Sequence, residues 1–132
     1  MNDPSYAFSK QLDGVSVDEA LEKVAEALKA NGFGVLTKID VKETLKKKID
    51  VDFHPYQILG ACMPRMAHKP LTAAPEVGVL LPCNVVVRHV DEKTTRVEVI
   101  NTAAMTMMFP GGELNEVAST VGQHLDNVLD SI

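Results

Sequence analysis

The stretch from Val79 to Ile100 constrains the fold most. Val79–Val90 is a long apolar run rich in β-branched residues. Asp91-Glu92-Lys93 makes a turn, and Thr94–Ile100 alternates, with Val97 and Val99 opposed to Arg96 and Glu98. Two such runs joined by a short turn form an antiparallel hairpin. Pro82 cannot donate to a sheet ladder, so the early part of the first run should be an edge or a bulge. Tyr56–Cys62 reads as the strand before the hairpin. Met63–Pro75 lies between them and is broken by Pro64, Pro70 and Pro75, so at most short helical turns fit there. No long helix separates these three strands. The sheet is therefore mainly antiparallel, with helices on one face.

Upstream, Tyr6–Leu12 alternates as a half-buried strand, with Tyr6, Phe8 and Leu12 on one side and Ser9 and Gln11 on the other. Ser16-Val17-Asp18-Glu19 is a capping box, in which Ser16 serves the third amide and Glu19 reaches back to the first. Val17, Leu21, Val24 and Leu28 follow at helical spacing, and Asn31-Gly32 is a stop signal, since glycine tolerates the left-handed conformation. Phe33–Ile39 reads as a strand with Phe33, Val35 and Ile39 inward. Asp40-Val41-Lys42-Glu43 is a second capping signal, ahead of a short helix whose narrow apolar stripe is Val41, Leu45 and Ile49. Asn101–Phe109 is a methionine-rich connector, and Pro110-Gly111-Gly112 punctuates it. Leu114, Val117, Ala118, Val121, Leu125, Val128 and Leu129 make an amphipathic terminal helix. The expected order is β-α-β-(α)-β-β-β-α, an α+β class. With no repeat or linker in 132 residues, one domain over 1–132 is expected.

Charge and termini bound the function. Thirteen basic and eighteen acidic residues give a net charge of −5, which suits a phosphate backbone poorly. Aromatics are only 5%, leaving little for base stacking. Nucleic acid is thus not an expected partner. The opening Met1-Asn2-Asp3-Pro4-Ser5-Tyr6 lacks the basic and apolar regions of a secretory leader, and no apolar run approaches a membrane span. A cytoplasmic location is expected, with both cysteines as free thiols.

Four constellations offer chemistry. Cys62 ends one strand and Cys83 begins the next, each beside a proline-bearing turn, so the two can approach. Arg65 or His68, with a helical turn opening at Pro64, can lower a thiol pKa. Equally, each cysteine can be a small buried hydrophobe. A metal site would need Cys62, His68 and Cys83 with His54 or His89, but no pair has zinc-motif spacing, and His89 lies about 20 Å along the strand from Cys83. No metal or other cofactor is expected. Lys42, Lys46, Lys47 and Lys48 form either an anion-binding face or a solvated one. Met105, Met107 and Met108 with Phe109 read as a dimer contact, the lid of an apolar pocket, or core filling.

Several segments together resemble the domain of unknown function 302 family. They are Tyr6-Ala7-Phe8-Ser9-Lys10 with the following helix, Gly32-Phe33-Gly34-Val35-Leu36-Thr37 with Lys38-Ile39-Asp40-Val41-Lys42, Leu59-Gly60-Ala61-Cys62-Met63-Pro64, Ala67-His68-Lys69-Pro70-Leu71 and Gly78-Val79-Leu80-Leu81-Pro82-Cys83-Asn84-Val85-Val86-Val87. The resemblance implies a β-α-β(4)-α fold similar to the TATA-binding-protein and helix-grip folds, and it suggests dimers. It implies no activity. Two positions depart from the family pattern: Met63 stands where a polar residue, often asparagine, is usual, and Pro70 stands where a helix usually continues.

A curved sheet gripped by a helix leaves a cleft. The leading expectation is a non-enzymatic small-ligand-binding or sensing module, a homodimer, with Cys62, His68, Cys83 and Asn84 lining the site. The alternatives are a thiol-dependent enzyme or redox protein using Cys62 or Cys83, and a dimeric protein-interaction domain.

Overall fold

Capping and periodicity act locally, and they position the first helix as read. The computed structural model describes residues 3–106 and 112–132. Helix α1 spans Val17–Ala30. The Glu19 amide donates to Ser16 Oγ at 3.1 Å, while the Glu19 carboxylate accepts from that hydroxyl rather than from the first amide. Gly32 takes φ +84° after the last turn. Val24 and Leu28 are fully buried.

The remaining elements are β1 (Ala7–Asp13), β2 (Gly34–Asp40), α2 (Val41–Ile49), β3 (Tyr56–Cys62), α3 (Pro64–Ala73), a 3₁₀ turn (Pro75–Leu80), β4 (Cys83–Asp91), β5 (Thr94–Ile100), α4 (Thr102–Thr106) and α5 (Gly112–Ser131). The five strands form one antiparallel sheet in the order β1-β5-β4-β3-β2. The β4–β5 hairpin is as expected, its turn tied by the Lys93 amide donating to Asp91 Oδ1 at 2.9 Å. Val85, Val87, Val97 and Val99 project from the hairpin to one face and meet α1 and α5 there in a single buried cluster with Leu125 and Val128. The architecture is α+β, with an open sheet and helices on one face.

Four local expectations are corrected. Residues 64–73 form a regular helix, although two prolines lie in it. Pro64 sits in the first turn, where its missing N–H has no partner to lose. Pro70 lies inside and forfeits one bond, yet it is buried, and the Ala74 amide still bonds the Pro70 carbonyl at 2.8 Å. Second, β4 starts at Cys83 rather than Val79, because the strand begins only after Pro82. Val79 lies in the 3₁₀ turn and is 87% exposed. Third, Tyr6 and Phe8 are exposed at the sheet edge, and of the three expected inward residues only Leu12 is buried. Fourth, Val35 and Ile39 on β2 are exposed, and the α2 stripe buries nothing, with Ile49 62% exposed. Phe33, just before β2, is buried as expected.

Candidate functional site

Chain connectivity brings the two cysteines to one place. Ala61 on β3 is the register partner of Cys83 on β4, and Cys62 follows directly. The chain then turns into α3, which carries Met63 and Met66 back over the sheet end. The 3₁₀ turn returns it through Val77 and Leu80 to β4. Helices α4 and α5 close the other side with Met105 and Val117. These elements line a partly open cavity of about 70 Å³, and both cysteines border it. A single water needs roughly 10–15 Å³ on this measure, so the space is several waters large.

The wall is almost wholly apolar. Its two hydroxyls are turned to main chain: Thr102 Oγ1 donates to the Ala118 carbonyl at 2.6 Å, and Thr106 Oγ1 to the Ala103 carbonyl at 2.7 Å. Cys83 is 7% exposed. Burial, then the nearby Cys62, pushes its thiol up to about 11. A catalytic thiolate requires a shift in the opposite direction.

The four candidate site residues do not stay together. Cys62 and Cys83 share the cavity. His68 is exposed on α3 and is not part of the cavity wall. Asn84 pairs in register with Gly60 and opens onto the other face of the sheet, in a depression with Tyr6, Tyr56, Val86 and Arg88. Neighbouring residues in a strand point to opposite faces, so Cys83 and Asn84 cannot line one site. His89 lies away from the cysteines, its ring 6.5 Å from that of His54. Among the described residues, no group of three histidine, cysteine or carboxylate side chains is placed to hold a metal ion. The lysine face is partly neutralised by its own helix and the loop after it: Lys47 meets Glu43 at 2.8 Å, and Lys46 meets Asp50 at 3.0 Å and Asp52 at 3.1 Å. Of the methionine group, Met105 lines the cavity; Met107, Met108 and Phe109 lie outside the described residues.

The open face of the sheet holds a feature the sequence reading missed. Arg88 Nε donates to Glu98 Oε1 at 2.6 Å, and Arg96 Nη2 meets Asp3 Oδ1 at 3.1 Å and Ser9 Oγ at 2.6 Å. Glu98 holds Arg88 still more firmly protonated. The signal was present, since Arg88, Arg96 and Glu98 share one parity across the hairpin.

The family model described as domain of unknown function DUF302 matches residues 8–132. The chain belongs to the DUF302 family. A crystal structure of an uncharacterized conserved DUF302 protein from Bacillus stearothermophilus is 30% identical, with a TM-score of 0.86, over 97% of this chain and 98% of that one. No curated protein matches the sequence. DUF302 membership therefore accounts for the fold and assigns no activity. No helix among the described residues of this DUF302 domain is long and apolar enough to cross a membrane.

Proposed function

We propose that this DUF302 domain is a non-enzymatic small-ligand-binding or sensing module that holds its ligand in the cavity beside Cys62 and Cys83. The cavity wall carries the reading. It offers apolar burial, at about 25 cal/mol per Å², and its hydroxyls are already satisfied by main chain. Catalysis would need polar groups aimed at a developing charge. The more buried of the two thiols keeps its proton instead. That favours binding over a thiol-dependent enzyme or redox protein. Two free thiols fit a reducing cytoplasm.

A homodimer is part of the proposal. Edge strand β2 exposes Val35, Leu36 and Ile39, and α2 beside it exposes Ile49. An antiparallel edge can pair with its own copy about a twofold axis. Sedimentation across a dilution series tests this, and a monomer at every concentration removes it.

The binding claim is tested by thermal unfolding with short-chain alcohols, benzene and indole. A ligand at a hundred times its Kd stabilises by about 2.7 kcal/mol. The expected result is a rise in Tm of several degrees with some of these compounds, lost in an Ala67→Phe variant that fills the cavity. No rise with any of them sinks the reading of an apolar ligand.

A further inference from the structure

The cavity wall has an unusual composition. Cys62, Met63, Met66, Cys83 and Met105 all line it, so both cysteines of the chain and three of its six methionines meet at one space of about 70 Å³. They arrive from separate elements: the end of β3, the start of α3, the start of β4 and α4. The two thiols are close enough for Cys62 to act electrostatically on Cys83.

We propose that this cavity binds a single Cu(I) ion through a cysteine thiolate and methionine thioethers. The inference rests on the cavity being a binding site, and it names the ligand class. Three arguments select the ion. Thiolate and thioether sulfur are soft donors and favour Cu(I) among the common metals. Zinc takes four ligands from thiolate, imidazole and carboxylate. Only two thiols are present, and His68 lies outside the cavity wall. Charge is the third argument. Among the described residues the wall has satisfied hydroxyls and no charged group, and such a wall penalises net charge. One thiolate with Cu(I) is neutral, and thioethers add coordination without adding charge. Counting only histidine, cysteine and carboxylate leaves the cavity short of a metal site, and the thioethers supply the missing donors.

Binding exchanges a proton for the metal: the thiol S–H bond breaks, the S–Cu bond forms, and one proton passes to solvent. Copper stays in the +1 state and no electron moves. A coordinating thiol is deprotonated by its metal, which offsets the burial that keeps Cys83 protonated in the metal-free cavity.

The test is anaerobic competition with bicinchoninate-bound Cu(I) on the intact chain. The expected result is withdrawal of one Cu(I) per chain with release of one proton. A Cys62→Ala, Cys83→Ala double variant should lose the withdrawal. Where that variant does not fold, Cys62→Ser and Cys83→Ser are used singly, and at least one should weaken it. Paired Met63→Leu and Met66→Leu changes should weaken binding about tenfold, or about 1.4 kcal/mol, while far-ultraviolet circular dichroism stays unchanged. Copper left with the chelator by the wild type overturns the proposal, as does binding that survives loss of both cysteines or ignores loss of the methionines. The thermal panel of apolar compounds is run on the same samples. Stabilisation by those compounds without Cu(I) withdrawal ends the copper proposal and leaves the ligand-binding function standing.

Discussion

Cys83 makes the protein's stability depend on alkaline pH in a way that can be calculated. Its thiol titrates near 9.0 when free, and burial in the native cavity, then the nearby Cys62, raises it to about 11. A raised acid pKa means that the folded state keeps a proton which the unfolded chain gives up. The stability tied to that proton is complete below pH 9 and is lost as pH climbs through 11. Two decades of proton affinity correspond to roughly 3 kcal/mol, most of it gone by pH 11. Urea unfolding at pH 8 and pH 11 is the assay, with Cys83→Ala as reference. Lysines and tyrosines titrate in both proteins, so their effects cancel in the difference. At pH 8 the variant should be less stable by about 1 kcal/mol, the cost of a slightly larger cavity. At pH 11 it should be the more stable of the two. Labelling gives an independent check in a Cys62→Ala background. Burial, the larger cause of the raised pKa, persists without Cys62, so at pH 8 native Cys83 should react with Ellman's reagent far more slowly than the unfolded chain does. Parallel pH dependence of wild type and variant, or equal labelling rates in native and unfolded protein, refutes the reasoning.

Three further outcomes are expected. Gly122→Ala would place a Cβ 2.6 Å from Thr102 Oγ1 and disturb that hydroxyl's bond to Ala118, so it should cost about 1–2 kcal/mol despite the better helix former. In a Thr102→Ala background the same change should instead stabilise by up to about 1 kcal/mol, and a double-mutant cycle by urea unfolding reads the reversal. Glu98→Ala removes the carboxylate between Arg88 and Arg96 and should destabilise by about 1–2 kcal/mol, since solvent reaches both members of the Arg88–Glu98 pair. Added salt should shrink that difference. Ser16→Ala deletes the α1 cap and should cost about 1 kcal/mol, read as a fall in Tm.

What was legible in the sequence is what is decided locally. Ser16, Gly32 and the Val17–Leu28 spacing specify α1 through contacts within a few residues. The hairpin follows from alternation and a turn. Helix α3 was not legible, because Pro70 is buried at a cavity that distant elements complete, and local spacing does not show that. The exposure of Val35, Ile39 and Ile49 was not legible either, since an apolar stripe looks the same whether or not something covers it. At the site, consecutive strands do bring Cys62 and Cys83 to one cavity. Asn84 could have been set aside by parity alone, being next to Cys83 in a strand. Met63 and Met66 were missed because a proline-broken segment was read as irregular, and an irregular segment has no inward face.

Sheet order also sets a timetable. β1 pairs with β5, so Ala7 waits for Ile100 and Asp13 for Thr94. On a ribosome adding about 5–20 residues per second, that wait is roughly 5–20 s. During it, β3, β4 and β5 can pair in turn, each with its predecessor, while β1 has no neighbour to join. The first strand of the sheet can enter it only once β5 has been made, and its Lys10 donates to the carbonyls of Leu129 and Ile132 at the far end of the chain. In hydrogen exchange, amides of β1 should therefore open ahead of those in the β4–β5 hairpin.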